Sequence, residues 1–259
     1  MNTKAIIYRG VFALRPSFLW AWMDVKLKYR RSMLGPFWQT INTAVIILCI
    51  SYITSTVFNS DTLSNIPYVG LGIISWAMIA AYVSTSTDTF IQHRDLIRDT
   101  NMPISLFIGR AVFRVFIMSL HNLILYFIAL PFLPITFNWY APLAIIGIAF
   151  MLVNGFWLAG VLGFLCARFR DLEMVIHNLM QLVFFITPVF WDYKTIQSDR
   201  MFIVEYNPLF YFIEMIRAPL LGQAVPLHFY GIALGITVVG YLLTYGIYRT
   251  FRRHLPYYV

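Results

Sequence analysis

Charged side chains are scarce in this sequence. Only 12% of its 259 residues are Asp, Glu, Lys or Arg, whereas 60% are hydrophobic and 18% are aromatic. Soluble domains carry about 25% charged residues and about 45–50% apolar ones. Because one water-facing globule of this size cannot hide such an apolar excess, the composition excludes an ordinary soluble domain. It predicts an integral membrane protein.

The motifs of catalysis and energy coupling are missing as well. The sequence has no Gly-Lys pair, and therefore no P-loop for a nucleotide. Its five histidines and two cysteines lack metal-ligand spacing, so neither a metal site nor a catalytic residue is predicted. Asp88 is the sole acid inside the apolar runs, the fifth of which begins at Val175, and this leaves an ion-coupled carrier without its relay. We therefore expect no cofactor on this chain, and any energy source must lie on a partner.

What the sequence does contain is a series of apolar runs. A spanning helix takes about 20 residues, and lipid satisfies no backbone hydrogen bonds, so these runs are interpreted as helices. The predicted fold class is all-α, a polytopic membrane protein with six transmembrane helices. The spans are predicted at residues 37–58, 67–91, 104–132, 141–166, 172–190 and 229–250.

The basic residues predict the orientation of these spans. Sixteen of the nineteen Lys and Arg residues precede the first span, follow the second or fourth, or lie in the tail. The loops at 59–66 and 133–140 have none. By the positive-inside rule both termini are cytoplasmic. Short basic clusters between apolar runs also argue against nucleic acid as the partner of a chain with a net charge of +8.

The segment before the first span carries a helical stripe. Five large side chains recur there at steps of three or four residues: Phe18, Trp22, Val25, Tyr29 and Met33. With charged residues opposite, the stripe predicts an amphipathic helix over residues 17–35 that lies in the cytoplasmic interface of the membrane. Residues 25–30 alternate strictly, so a strand is a weaker alternative.

Two further segments do not fit a plain six-helix bundle. Residues 92–103 are charged, long enough for two or three helical turns, and stopped by Pro103. On physical grounds an ordinary solvated loop is an equally good interpretation. Residues 191–228 are apolar in pieces but broken by prolines and Gly222. They predict short re-entrant helices in the outer leaflet, between spans five and six.

Some side chains within the predicted spans have two possible interpretations. Arg110, Arg114 and His121 share one face of the third span. Either the arginines reach the inner headgroups and His121 is bonded within the bundle, or all three face a pathway for an anionic substrate. The aromatic residues near the end of the fifth span are either interfacial anchors or a sugar-stacking exit.

Two motifs carry a family resemblance. Residues 27–38, LKYRRSMLGPFW, look like the entry motif of one transporter family, and residues 207–211, NPLFY, with Glu214 and Arg217, are similar to its second signature. The whole chain resembles the permease subunits of ABC-2-type polysaccharide exporters. Within them it is most similar to the O-antigen and capsule branch of Gram-negative bacteria, and teichoic-acid exporters are a related alternative. Arg31 stands where many relatives carry another residue.

The resemblance implies partners and a substrate. Two copies of this chain would enclose a channel in the bacterial inner membrane. Two copies of a separate ATPase, which bind ATP and Mg, would drive a lipid-linked polysaccharide through it. Residues 92–103 would form a coupling helix on the ATPase, with His93, Arg94, Asp95, Leu96, Ile97, Arg98 and Asp99.

The resemblance also implies roles for individual side chains. The gate that meets the lipid pyrophosphate would consist of Lys28, Tyr29, Arg30, Arg31 and Ser32. The channel and its exit would include Trp38, Tyr52, Phe184, Phe185, Trp191, Tyr206, Tyr211, Arg110 and Arg114.

A membrane-embedded enzyme acting on lipid-linked sugars is the alternative from another class. It would need acids or histidines gathered at one membrane face. The predicted outer face offers four acids spread over residues 192–214: Asp192, Asp199, Glu205 and Glu214. A passive channel is a third class, and it would work without any ATPase.

Overall fold

Every regular element that the structure describes is helical. The computed structural model describes residues 3–30, 33, 35, 37–59, 61–100, 102–133, 138–195, 197, 200–251 and 255–258. Its helices are α1 (Thr3–Tyr29), α2 (Phe37–Val57), α3 (Thr62–Asp88), α4 (Arg94–Asp99), α5 (Ile104–Ala129), α6 (Ala144–Arg168), α7 (Asp171–Ile186), α8 (Phe202–Glu205), α9 (Pro208–Leu220), α10 (Leu227–Phe251) and α11 (Leu255–Tyr258). The all-α prediction is confirmed.

Within the described ranges, five helices are long and apolar enough to cross a membrane: α2, α3, α5, α6 with the 3₁₀ turn before it, and α10. The sixth predicted span differs. α7 has 16 residues, about 24 Å at 1.5 Å per residue, and ends at Ile186 rather than at residue 190. Thr187 leaves the helix because it precedes Pro188, whose ring disfavours the helical conformation of the residue before it. The number of six spans therefore stays a prediction.

α3 is the central helix of the bundle. It packs against α2, α5, α6 and α9, and most of its residues from Val69 to Val83 are buried. Two glycines allow close approach: a Cβ on Gly70 would meet Ile47 of α2, and one on Gly72 would lie 2.0 Å from the carbonyl oxygen of Val189. The chain beyond α7 thus lies directly on the backbone of α3.

α1 is longer at its start and shorter at its end than predicted. It begins at Thr3, continues through Pro16 and stops at Tyr29, so Met33 lies beyond it and the strand alternative for residues 25–30 is wrong. Its buried residues are Ala13, Ser17, Ala21 and Val25, which lie along α5. Phe18 and Trp22 of the predicted stripe belong to the exposed side.

The segment between α7 and α10 contains a buried short helix. α9 begins at the Asn-Pro pair: the Asn207 side chain accepts a hydrogen bond from the amide of Leu209, and Pro208 occupies the first turn, where no amide donor is needed. From Phe210 to Leu220 every residue is buried. Short helices thus occur in the segment where they are predicted, with Arg217 fully buried, and the re-entrant position in the outer leaflet stays a prediction.

A polar cluster, here called the Arg217 clamp, holds this segment. The Arg217 guanidinium donates to the Glu214 carboxylate with Nε at 2.7 Å, and to the carbonyls of Pro188 at 2.9 Å and Val189 at 3.3 Å. The Tyr68 ring of α3 lies 4.0 Å from it, close enough for a cation–π contact. The clamp joins α9, α3 and the residues after α7.

The Gly72 contact gives a testable prediction. Gly72→Ala would push a methyl group into the Val189 backbone, and we expect a loss of about 1–3 kcal/mol or more of unfolding free energy. Gly235→Ala is the matched control, because a Cβ there meets nothing within 4 Å. Thermal unfolding in detergent micelles measures both. Equal stability of the two variants would refute the close approach of α3 to the Val189 backbone.

Candidate functional site

Charged side chains of α1 and α5 meet in one groove, here called the basic groove, which is also lined by the 3₁₀ turn at Ile91–His93 and by Leu96 of α4. Its volume is about 550 Å³. The residues that line it are Asp24, Val25, Leu27, Lys28, Gln92, His93, Leu96, Arg110, Arg114 and Met118. Three segments that the sequence treated separately therefore share one surface: the predicted interface helix, the predicted coupling segment and the basic face of the third span.

Arg110 forms a bidentate ion pair within the basic groove. Its Nε and Nη2 donate to the two carboxylate oxygens of Asp24 at 2.6 and 2.7 Å, with both side chains about one-fifth exposed. The Trp20 ring lies 5.3 Å from its guanidinium. Arg114 lines the same groove, whereas His121 forms a 2.8 Å hydrogen bond to the Ile117 carbonyl within α5. Arg110 and Arg114 thus face a polar cavity, whereas His121 is bonded within its own helix.

The predicted gate residues lie at the end of α1. Lys28 lines the basic groove and is exposed, with its Nζ 5.6 Å from the Tyr29 ring. Burial raises the pKa of Tyr29 above its ordinary value, so this phenol stays protonated at neutral pH. Arg30 is exposed. Arg31 and Ser32 lie outside the described residues.

The predicted coupling segment consists of a 3₁₀ turn over Ile91–His93 followed by α4, which ends at Asp99. Arg94, Asp95, Leu96, Arg98 and Asp99 are exposed. The Arg94–Asp95 ion pair, at 3.5 Å, is open to solvent and contributes little to stability. The exposed residues form a short charged surface, and the predicted docking role for them stays a prediction.

His93 connects this segment to α5. Its Nδ1 donates to the Thr89 carbonyl at 2.8 Å, and its ring lies 5.4 Å from that of Phe107. Burial, with a smaller effect of Arg110 and Arg114, lowers the pKa of His93. The neutral form is therefore native at pH 7. Acidification through the ordinary histidine range protonates the unfolded segment first and so weakens this packing.

Ile97 is the exception among the α4 side chains, because it is buried. It belongs to a cluster with Phe90, Phe107, Phe164 and Leu255, the last of which is fully buried at the start of α11. Ile97 therefore packs within the chain whereas Leu96 is exposed, and the predicted coupling role of both residues stays a prediction. The C-terminal helix instead supports α4 from within the chain.

The aromatic candidates fall into separate groups. The aromatic strip consists of Trp76 of α3, Phe184 and Phe185 in the last turn of α7, and Phe190 beyond that helix, with Trp76 and Phe184 ring centroids 5.4 Å apart. A groove of about 460 Å³ runs along it, lined by Trp76, Ala80, Met180, Gln181, Phe184 and Phe185. Sequence reasoning missed Trp76, since nothing distinguishes this residue within a continuous apolar run.

The remaining aromatic candidates are not part of this strip. Trp38 and Tyr52 lie on the exposed side of α2. Trp191 donates its indole N–H to the Phe185 carbonyl at 3.2 Å, which connects it to the end of the strip. Tyr211 is buried, with its hydroxyl bonded to the Glu205 carbonyl at 2.7 Å, whereas Tyr206 is 86% exposed. Tyr211 therefore has a packing role in this structure.

A family model and curated relatives both match most of this chain. A family model described as ABC-2 type transporter matches residues 18–221. Two curated relatives are named O-antigen export system permease protein RfbA. The one from Klebsiella pneumoniae is 26% identical over 193 residues, and the one from Myxococcus xanthus is 25% identical over 193 residues. Each alignment covers 72% of this chain and 72% of the relative.

The difference in burial between Leu96 and Ile97 on α4 is testable. Ile97→Asp would place a charge in the buried cluster, and we expect a loss of about 3–5 kcal/mol of unfolding free energy. Leu96→Asp, the same change at an exposed position one residue away, should cost far less. Thermal unfolding of the two purified variants measures the difference, and similar losses would refute the buried packing of Ile97 against α11.

Proposed function

Because the chain belongs to the ABC-2 type transporter family, we propose that it is the membrane permease subunit of an ATP-driven exporter of lipid-linked polysaccharide. O-antigen is the first candidate cargo, since relatives in two organisms carry that name. Capsular polysaccharide and teichoic acid are alternative cargoes of the same chemical class. The observation that carries the proposal is the family match over residues 18–221, which includes α4 and the basic groove.

ATP hydrolysis belongs on a separate subunit in this proposal. The chain has no P-loop, so two copies of a partner ATPase bind ATP and Mg. The exposed charges of α4 are suited to docking on that partner. Ile97, held by α11 and α6, gives the docking surface a rigid base. Movement of the ATPase would then be passed into the bundle rather than absorbed by a loose loop.

A second copy of the chain completes the pathway. α7 has no buried residue, although it carries both polar and apolar side chains. A helix that packs against α3 on one side and has no fully buried residue in a single chain is suited to a position where another side meets a second copy or water. The aromatic strip then lies along the pathway, with Trp38 and Tyr52 of α2 as further candidates. We place this assembly in the bacterial inner membrane with both termini cytoplasmic.

The basic groove is the proposed entry for the anionic end of the substrate. Lys28, Arg110 and Arg114 line it, and Arg30 and Arg31 follow along the chain. Arginine presents a planar fork that matches phosphate oxygens, so a lipid pyrophosphate is a chemically suitable ligand. The sugars would continue along the aromatic strip, where rings stack on their apolar faces.

An enzyme that acts on lipid-linked sugars is less well supported. Of the four acids at the predicted outer face, Glu214 is bonded to Arg217, and Asp199 lies outside the described residues. The remaining two acids, Asp192 and Glu205, are far apart in the sequence. The Arg217 clamp explains Glu214 as a structural residue.

Reconstitution tests the proposal. In proteoliposomes the purified chain alone should neither hydrolyse ATP nor translocate lipid-linked O-polysaccharide. Addition of a cognate ABC-type ATPase should produce both activities. Modification of lipid-linked sugars by the chain alone would favour the enzyme, and ATPase-independent translocation would favour the passive channel.

The aromatic strip gives a more local prediction. Trp76→Ala should lower polysaccharide export by about three- to tenfold, since an aromatic contact is worth about 0.5–1.5 kcal/mol. Trp76→Phe, which keeps a ring, should restore most of it. Trp139→Ala, at a site that is 94% exposed, controls for loss of an interfacial tryptophan. Unchanged export by Trp76→Ala at normal membrane levels would remove the strip from the pathway.

A further inference from the structure

The ion pair between Asp24 and Arg110 has a geometry that packing alone does not require. α1 is already attached to α5 through small side chains. The hydroxyl of Ser17 bonds to the Leu106 carbonyl at 3.2 Å, and a Cβ on Gly109 would lie 2.6 Å from the same hydroxyl oxygen. Compared with two apolar side chains, a partly buried ion pair adds little net stability, but displacing one partner leaves a charge unpaired between the two helices and is strongly destabilising. Its position in the basic groove suggests another role.

Asp24 occupies the part of Arg110 that would bind phosphate. Both carboxylate oxygens face the Nε and Nη2 donors of the guanidinium, at 2.6 and 2.7 Å. Carboxylates and phosphates bind this fork in the same bidentate manner. The Trp20 ring at 5.3 Å restricts the guanidinium, so the fork cannot easily serve two anions at once.

The surrounding charges favour a stronger anion over the carboxylate. The basic groove contains the cations Lys28, Arg110 and Arg114 against the single carboxylate of Asp24, which leaves a formal net charge of +2. A pyrophosphate carries more negative charge than a carboxylate, and it can contact several of these cations together. Asp24 can be displaced by such a ligand, although a neutral ligand would have no means of displacing it.

We propose that Asp24 is an internal substitute for the substrate pyrophosphate on Arg110, and that substrate binding releases α1 from α5 by displacing it. This rests on the proposed function for the identity of the natural ligand. Arg110 is the specificity-determining residue, and Asp24 is a positioning residue that holds α1 closed until an anion arrives. Gln92, His93 and Leu96 line the same groove, so the release occurs beside the predicted coupling segment.

Binding of a defined probe tests the substitution directly. The full chain in nanodiscs is titrated with farnesyl pyrophosphate, and with farnesol as the uncharged comparison. Asp24→Asn removes the competing carboxylate and should tighten farnesyl pyrophosphate binding by about tenfold, equivalent to about 1.4 kcal/mol. Asp171→Asn, which removes one exposed carboxylate at the start of α7 outside the groove, should leave the affinity unchanged.

A second variant separates charge from geometry. Arg110→Lys keeps the charge but loses the fork, so we expect it to bind farnesyl pyrophosphate about tenfold more weakly. Asp24→Asn should bring no further gain in that background, because Asp24 and the pyrophosphate compete for the guanidinium fork that Arg110→Lys removes. A gain of the same size in both backgrounds would show a general charge effect and would overturn the proposal.

Release of α1 is measured by disulfide cross-linking. Val25 and Ile117 pack in one buried cluster between α1 and α5, so cysteines at both positions in a Cys49→Ser background report closure. Farnesyl pyrophosphate should reduce cross-linking severalfold, and Asp24→Asn should do so without ligand. Cross-linking that is insensitive to both would overturn the proposal, even in a transporter that exports polysaccharide. If the chain shows these responses but exports no polysaccharide, the displacement of Asp24 would be supported and the proposed function would not.

Discussion

The part of the structure between α7 and α10 depends on the charge of Arg217. The chain leaves its helix at Thr187, and the carbonyls of Pro188 and Val189 then have no helical partner. Lipid offers no donor to such groups, so non-helical backbone at membrane depth has to be satisfied by protein. The Arg217 guanidinium does this while Glu214 neutralises it. The clamp therefore fixes where α7 ends against α3, and with it the position of the aromatic strip.

The fold could be predicted where the signal is long and local. α2 was expected at residues 37–58 and is found at Phe37–Val57, because about 20 consecutive apolar residues allow few other outcomes. The packed side of α1 is harder to predict, because its buried residues include small ones such as Ala13, Ser17 and Ala21. A pattern built on large hydrophobic residues therefore selects its exposed side. In a membrane, size and hydrophobicity do not indicate the side that packs.

The site depends on contacts between residues far apart in sequence, which no local pattern reveals. Arg110 is a candidate from the sequence, but 86 positions separate it from Asp24 and nothing in either segment relates one to the other. Leu96 and Ile97 look equivalent in the sequence. The packing of Phe107, Phe164 and Leu255 distinguishes them, because it buries Ile97 and leaves Leu96 in the groove. Sequence reasoning selects segments, whereas the contacts between the segments determine which side chains are buried and which line the groove.

These contacts also indicate which parts of the molecule can move relative to one another. The clamp end is closely packed, with Gly72 against the Val189 backbone and a fully buried cation, so a shift there would leave a charge unpaired. The basic groove is different, because it is open, polar and held by groups that can exchange partners with an anion. α5 forms one wall of that groove and carries Phe107 beneath His93. A displacement of α4 would therefore reach α1 through α5, while the clamp end stays fixed. The proposed function needs motion of this kind, because the proposed substrate gate at the end of α1 and the ATPase docking surface on α4 lie at the same end of the bundle.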